Sequence, residues 1–293
     1  MHTTTFLNQT CLELANPVLS LLVTQSVGPR ILSLRYQGGE NLFAELPDFT
    51  TETPAGTYHF YGGHRLWRAP EALETTYALD DDPIEITLHE NGAVLTQTDP
   101  GTRVQKSLHL TLHASRPQVQ VTHTLTNFSE RPLTLAAWAI TQLKPGGVAI
   151  LPHSTDPTGF LPNRQIALWP YTDFRSPHLT WGNAYTLVHA QMTEGALKVG
   201  FPNPRGWLAY WREGTMFVKR AAFNPGAGYY DFGSSSECYC GVAMLELETL
   251  SPIQTLAPGE SATHVETWEV FGGVDAPQDE ADAARIVEER GLS

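Results

Sequence analysis

Short stretches of alternating apolar and polar residues recur along almost the whole chain, and most of them end at glycine, proline or asparagine. In residues 103–113, for example, Leu108, Leu110 and Leu112 fall on one face, with polar residues between them. Successive side chains of a β-strand point to opposite faces, so this pattern predicts strands with one buried face. Further strands are predicted at residues 19–24, 30–36, 84–88, 93–98, 119–126, 133–143, 185–191, 197–200, 207–212, 215–220 and 261–270.

The connections between these strands are short and carry turn residues. A Gly-Pro pair at residues 28–29 and an Asn-Gly pair at residues 91–92 predict two hairpins. The one helical pattern is at residues 275–291, with Asp275 as the predicted N-cap and Gly291 as its end. No linker or repeat divides the chain. We therefore expect one all-β domain over residues 1–293, a large antiparallel β-sandwich with a short C-terminal helix.

The net charge and the number of cysteines help to predict the binding partners and the cellular compartment of the protein. The net charge of −13 disfavours binding to nucleic acid or to an anionic membrane. No segment approaches the roughly 20 apolar residues that cross a bilayer, and the N-terminus lacks the pattern of a signal peptide. Three cysteines do not make a disulfide framework and fit a reducing compartment. The chain is predicted to be cytoplasmic, a monomer or homodimer, without nucleic-acid or membrane partners.

The sequence lacks several motifs that indicate binding of a cofactor or a metal ion. The chain has no dinucleotide fingerprint, no phosphate-binding loop and no Gly-x-Ser-x-Gly elbow. Cys238 and Cys240 stand two apart, but no second Cys or His pair accompanies them, so they are interpreted as small buried hydrophobes. We therefore expect neither a cofactor nor a metal ion.

Two glutamates share one face of a strand predicted within residues 241–252. Met244, Glu246 and Glu248 fall on one side, and the apolar residues Ala243, Leu245 and Leu247 fall on the other. Charge beside an apolar strand requires water, a cation or a ligand. The pair is therefore the first candidate for chemistry.

A second candidate is the loop-like segment at residues 61–71, which contains two adjacent glycines. It combines His64, Arg65, Trp67 and Glu71, which supply a titratable ring, an anion clamp, a flat apolar face and a carboxylate. Aromatic and ionisable residues on a glycine-rich loop favour a binding site. The alternative is a structural loop in which Arg65 or Arg68 pairs with Glu71.

Residues 219–237 form a third group. Lys219 follows an apolar strand, where it either points to solvent or faces Glu246 or Glu248 across a cleft. Asp231 and Glu237 lie in a stretch rich in glycine and serine and are individually weak signals. His153, in the loop after another strand, is a further candidate for contact with the site.

These features together resemble the galactose mutarotase-like superfamily, which includes the aldose 1-epimerases. The Gly-Pro-Arg-Ile-Leu-Ser-Leu stretch at residues 28–34, followed by Gly-Gly-Glu-Asn-Leu at 38–42, is similar to the opening hairpin of such proteins. The Leu-Glu-Thr at the start of residues 247–252, followed by Leu-Ala-Pro-Gly-Glu at 256–260, resembles the epimerase segment that carries the catalytic glutamate. Asn127 also fits the pattern of the middle strands.

This resemblance extends over the layout of residues 12–272 and implies the supersandwich fold and a pocket for a small-molecule carbohydrate. It implies that Glu248 is the base that takes the proton of the anomeric hydroxyl, while a histidine protonates the ring oxygen. The family's histidine lies on a middle strand, but the corresponding residues 135–141 contain none. The proton would then come from His64, our candidate acid, or from His153, and the chain resembles a divergent branch of the superfamily.

Three functional hypotheses remain. The first is an aldose 1-epimerase-like isomerase, with a lyase or hydrolase on the same carboxylates as a variant; the second is a carbohydrate-binding or sensing protein that lacks the acid. In the third, the two glutamates form a structural ion-pair network with Arg30, Arg65 or Lys219. Besides Glu248 and His64, the side chains expected to contact the sugar are Arg30, Arg65, Trp67, Glu71, His153, Lys219, Asp231, Glu237 and Glu246.

Overall fold

A computed structural model describes residues 2–292, which form two large antiparallel sheets and a separate hairpin. Strands are numbered in chain order. The first sheet contains β1 (Thr3–Phe6), β2 (Gln9–Ala15), β3 (Leu19–Thr24), β4 (Arg30–Tyr36), β7 (His64–Ala69), β12 (Leu133–Leu143), β14 (Ala167–Leu168), β17 (Ala196–Phe201), β20 (Ser236–Gly241), β21 (Leu245–Leu250) and β22 (Gln254–Leu256). The second contains β8 (Glu85–His89), β9 (Gly92–Thr98), β10 (Val104–Leu112), β11 (Gln118–Asn127), β13 (Val148–Pro152), β15 (Leu179–Thr180), β16 (Tyr185–His189), β18 (Trp207–Arg212), β19 (Thr215–Ala221) and β23 (Ser261–Gly272). The hairpin is β5 (Glu45–Thr53) with β6 (Gly56–Gly62).

The main hydrophobic core lies between the two sheets, as the alternating pattern predicts. Leu66 of β7 and Leu247 of β21 enter it from the first sheet, and Leu108 and Leu110 of β10 enter it from the second. The side chains next to them along each strand therefore point away from the core. The prediction of a large all-β antiparallel sandwich is confirmed.

Strand order brings distant parts of the chain together. The first sheet runs β1-β2-β3-β4-β7-β12-β21-β20-β17-β14, with β22 beside β12, and the second runs β15-β16-β13-β18-β19-β23-β11-β10-β9-β8. The centre of the first sheet therefore consists of β7, β12, β21, β20 and β17. The candidate side chains from the segments 61–71 and 241–252 lie close together there.

The prediction of a loop at residues 61–71 is wrong for most of this segment. It forms strand β7, which pairs with β4 on one side and β12 on the other. Polar residues occupy both faces of β7, so the alternation of apolar residues that marks the other strands is absent. Gly62 and Gly63 have φ angles of +89° and +72°, and a Cβ atom would meet the carbonyl oxygens of Ala44 and Ile31. These two glycines permit the tight connection between β6 and β7.

The C-terminal helix, α2 (Glu280–Glu289), begins later than predicted. Its N-cap is Asp279, whose side chain accepts hydrogen bonds from the backbone of Ala281 and Asp282, whereas Asp275 lies outside the helix. Ile286 and Val287 pack on the far side of the second sheet. One further short turn, α1 (Tyr230–Gly233), contains left-handed backbone at Asp231 and Phe232. Within residues 2–292, no helix has the length and apolar character needed to cross a membrane.

Candidate functional site

A cleft of about 270 Å³ opens on the outer face of the first sheet, the face turned away from the main core. Trp67, Trp138, Glu246, Tyr239 and Lys198 form its floor, one from each of the five central strands. Each lies one position from an inward-facing residue, so the alternation that builds the core also turns these side chains outward. The β5–β6 hairpin covers one side of the cleft.

Aromatic rings form most of the walls. The rings of Trp67 and Trp138 meet edge to face, with centroids 5.4 Å apart. Burial raises the pKa of Tyr171 and of Tyr239, so both hydroxyls stay protonated at neutral pH and are available as donors. Flat apolar faces with a few polar groups at their edges suit the mixed surface of a sugar ring. The aromatic lining consists of Phe49, Phe60, Trp67, Tyr77, Trp138, Tyr171 and Tyr239.

Glu246 is the carboxylate on the floor of the cleft. Its Oε1 accepts a hydrogen bond from Gln142 Nε2 at 2.7 Å and a longer one from Arg65 Nη2 at 3.4 Å. Arg65 is itself buried and stacks on the Trp67 ring, 4.2 Å from its centroid. Burial and the charge of Glu248 raise the pKa of Glu246, although Arg65 opposes this shift. No described residue donates to Oε2, which leaves that oxygen for a ligand.

Lys198 supplies a cation beside Glu246. Its Nζ lies 2.7 Å from Glu237 Oε2 and 2.8 Å from Glu248 Oε2, and it sits over the rings of Trp138 and Trp169. Burial alone would lower the pKa of Lys198, but the two carboxylates overcome it and raise the pKa well above its usual value. Lys198 is therefore a permanent ammonium group. Two of its three N–H donors face carboxylates, and its side chain also lines the cleft.

Glu248, the base expected from the resemblance, lies beneath the floor of the cleft. It is 0% exposed, whereas Glu246 is 9% exposed and lines the cleft. Glu248 Oε2 accepts hydrogen bonds from Lys198 Nζ and from Trp138 Nε1, both at 2.8 Å. Glu246 and Glu248 do share one face of β21, as predicted, but only Glu246 reaches the space a ligand would fill.

His64, the candidate acid, faces the opposite side of the sheet. Its Nδ1 lies 2.9 Å from Thr141 Oγ1 and its Nε2 lies 2.7 Å from His123 Nε2, within the interior of the sandwich. Burial lowers the pKa of His64 well below its ordinary value, so its ring is neutral. The structure does not bring His64 together with Glu248, because the sheet itself separates the two side chains.

Lys219 belongs to the same interior network rather than to the cleft. Its Nζ lies 2.9 Å from Glu266 Oε1 and donates to the carbonyl oxygens of Ala139 and Leu247. His64, His123 and Glu266 come close enough together to suggest a metal site.

The interior cluster does not fit a zinc ion as it stands. The histidine nitrogens of His64 and His123 are 2.7 Å apart, whereas two ligands of tetrahedral zinc with bonds of about 2.0–2.1 Å stand about 3.3 Å apart. Both oxygens of Glu266 already have donors, in Thr249, Lys219 and Trp268. Lys219 therefore supplies the cation of this network.

Three further predicted residues lie away from the cleft. Arg30 is buried and binds Asp80 at 2.7 Å and Tyr58, so it anchors the β5–β6 hairpin rather than a ligand. His153 faces a different cavity and makes a 2.7 Å hydrogen bond to Thr186; burial lowers its pKa to about 4. Asp231 lines a small apolar groove beside β14. Of the segment at residues 61–71, Trp67 and Glu71 line the cleft.

Lys198 and Trp138, which both contact Glu248, are among the site residues that the sequence pattern did not single out. Lys198 is a lone charge in the apolar strand β17, which is a weak signal because such lysines commonly reach solvent. Trp138 lies in the middle-strand stretch noted for its missing histidine. Only the strand order brings either of them next to Glu248.

Comparison with known proteins identifies the fold. No family model matches the chain, and no curated protein matches its sequence. A galactose mutarotase-like protein from Lactobacillus casei is 10% identical, with a TM-score of 0.55 over 89% of this chain and 100% of that chain. A candidate aldose 1-epimerase from Escherichia coli K12 is 13% identical, with a TM-score of 0.55 over 90% of this chain and 99% of that chain.

A larger protein has the highest of these TM-scores. A TPR-domain containing protein from Parabacteroides distasonis is 14% identical, with a TM-score of 0.65 over 92% of this chain but 48% of that chain. The chain therefore has the galactose mutarotase-like fold, which confirms the resemblance at the level of the fold. Identities of 10–14% do not extend to activity.

Proposed function

We propose that the cleft binds a monosaccharide-sized aldose and that the protein catalyses exchange between its anomers. The observation that carries this proposal is the pairing, on one aromatic-walled floor, of a reachable carboxylate with a fixed ammonium group, Glu246 and Lys198. The fold adds support, since proteins described as mutarotases or epimerases share it.

In this proposal Glu246 is the base. Glu246 takes the proton of the anomeric hydroxyl, the bond between the anomeric carbon and the ring oxygen breaks as the aldehyde forms, and the ring oxygen takes a proton from Lys198 Nζ. Both protons return when the ring closes on either face of the aldehyde. The raised pKa of Glu246 makes it a stronger base than an ordinary surface glutamate once it is ionised. Lys198 donates to the ring oxygen and stabilises the charge that develops there. Glu248 acts through Lys198, which it holds in place.

The charges around the cleft favour a neutral sugar over a phosphorylated one. Arg65 is paired with Glu246, and Lys198 is paired with Glu237 and Glu248, so carboxylates already neutralise the charge of both cations. Glu71 adds a further carboxylate to the lining, and the whole chain carries −13. An anionic ligand would therefore meet like charge in a partly dry site.

This charge pattern predicts that glucose and galactose bind more tightly than their 6-phosphates. We expect at least about a tenfold difference in Kd, or roughly 1.4 kcal/mol. Trp67 and Trp138 line the cleft, so quenching of tryptophan fluorescence measures the binding. Titration with inorganic phosphate is the control for binding elsewhere. Tighter binding of the phosphorylated sugars would contradict the charge argument.

A second candidate function is carbohydrate binding without catalysis. One observation in its favour is that the described lining of the cleft contains no histidine. Another is the raised pKa of Lys198, which makes its ammonium group a weak acid. The two functions differ in one observable. A binding protein leaves the rate of anomer exchange of a bound aldose unchanged, and an isomerase raises it.

A further inference from the structure

Two fully buried carboxyl groups share the ammonium group of Lys198. Glu237 on β20 and Glu248 on β21 are register partners, so both side chains leave the sheet on the outer face. Their Oε2 atoms lie 2.7 and 2.8 Å from the same Nζ, and neither side chain has any exposed surface. With both carboxyls ionised, this dry site would carry one negative charge in excess. Two carboxylates held this close resist simultaneous ionisation.

The hydrogen-bond donors around the pair are unequally distributed. Glu248 Oε2 accepts from Trp138 Nε1 as well as from Lys198 Nζ. Glu237 has only the 2.7 Å ionic contact with Lys198, and neither of its oxygens has a hydrogen-bond donor within the described residues. Glu248 Oε1 also has no donor within the described part of the chain. Because donors stabilise an ionised carboxylate, the negative charge belongs on Glu248 and the proton on Glu237.

We propose that Glu237 carries a proton in the folded protein and donates it towards Glu248, so that an acid and a carboxylate together fix Lys198 beneath the cleft. This arrangement gives the buried Glu248 Oε1, which lacks a partner, a hydrogen-bond donor, and it makes the group of three electrically neutral. Glu237 is then a positioning residue for Lys198. That role rests on the proposed function, whereas the protonation itself does not.

The surrounding charges agree with this assignment. The groups that face Glu237 are Lys198 from β17, Glu248 from β21 and Asp231 from α1. Burial raises the pKa of Glu237 well above its ordinary value; Lys198 opposes the shift, while Glu248 and Asp231 add to it. The folded protein therefore holds a proton that the unfolded chain releases above pH of about 4.3.

Infrared spectroscopy of the full chain tests the proposal without any sugar. A protonated carboxylic acid has a C=O stretch at higher frequency than a carboxylate, so the wild type at pH 7 should show an acid band that unfolding removes. Glu237→Gln should abolish this band. Glu246 also has a raised pKa, and Glu246→Gln should leave the band in place. A wild-type spectrum without an acid band, or a band that survives in Glu237→Gln, would overturn the proposal.

Stability against pH provides the second readout. Raising the pH above about 4.3 favours the unfolded chain, which has lost the proton, so this group raises the unfolding equilibrium constant up to tenfold per pH unit. The rise continues until the folded-state pKa of Glu237 is reached, and Glu237→Gln should remove this contribution. Glu248→Gln should destabilise the protein more than Glu237→Gln, because the remaining charge would then lie on the carboxyl with fewer donors. The reverse order of stability would place the proton on Glu248 and contradict the assignment.

Discussion

Replacing Glu246 by glutamine should lower the rate of anomer exchange by about 10²–10⁴-fold, the usual contribution of a positioned acid or base. Glutamine has the same shape, so the contact with Gln142 and the stacking of Arg65 on Trp67 are retained. Sugar affinity, followed by tryptophan fluorescence, should change much less than the rate. The loss therefore falls on kcat, which NMR exchange measurements report directly.

The matched control is Glu74→Gln, an exposed glutamate in the loop that also carries Glu71. It should leave the rate unchanged. In the wild type, kcat/KM should rise with pH through the pKa of Glu246, which lies above the ordinary value for glutamate, because the base must lose its proton to act. Retention of near-normal kcat in Glu246→Gln, with normal stability, would remove Glu246 from the mechanism.

Replacing Lys219 by methionine should cost about 3–5 kcal/mol of unfolding free energy, since it leaves a buried carboxylate without its cation. Lys219 and Glu266 are both 0% exposed, and Nζ lies 2.9 Å from Glu266 Oε1. Burial lowers the pKa of Lys219, and Glu266 opposes this shift. Burial would raise the pKa of Glu266, but the charge of Lys219 holds it low. Urea unfolding followed by circular dichroism measures the loss.

A double variant separates the two ways in which Lys219→Met could lower stability, an unpaired buried charge and lost packing. Lys219→Met combined with Glu266→Gln should be more stable than Lys219→Met alone, because the second change removes the unpaired charge. Lys144→Met, which breaks a partly exposed pair with Glu45 at 3.1 Å, should cost only about 0–1 kcal/mol. A loss in Lys219→Met no larger than that of Lys144→Met would mean that the interior network contributes little to stability.

The sandwich could be predicted from local patterns because many strands have one mainly apolar face. The leucines of β10 alternate regularly, and the predicted strand at residues 103–113 is confirmed as Val104–Leu112. Strand β7 was not predicted from the sequence, because both of its faces are polar. His64 belongs to the interior network, and Arg65 lies on the opposite face beside Glu246. The helix start was misplaced for a different reason, since Asp275 and Asp279 are both acceptable caps and only tertiary packing selects the second.

The candidate site could be predicted only in part. Glu246 and Met244 share a face by strand periodicity alone, and both line the cleft. The partner of Glu248 could not be found in this way, because Lys198 is 50 residues away and meets it only through the order β17-β20-β21. The same limit applies to His64: the sequence predicts a loop at residues 61–71, and only the pairing of β7 in the structure shows that His64 turns inward.

The most direct test of the proposed function is two-dimensional exchange NMR on neutral aldoses with the full-length protein. The measurement compares the rate of α-to-β exchange of glucose and galactose with and without wild-type protein, at concentrations bracketing the Kd from fluorescence. We expect the exchange rate of a sugar that binds to rise in proportion to protein concentration and to return to the uncatalysed rate with Glu246→Gln. Binding in the cleft with no rise in exchange for either sugar would contradict the isomerase and leave carbohydrate binding as the function.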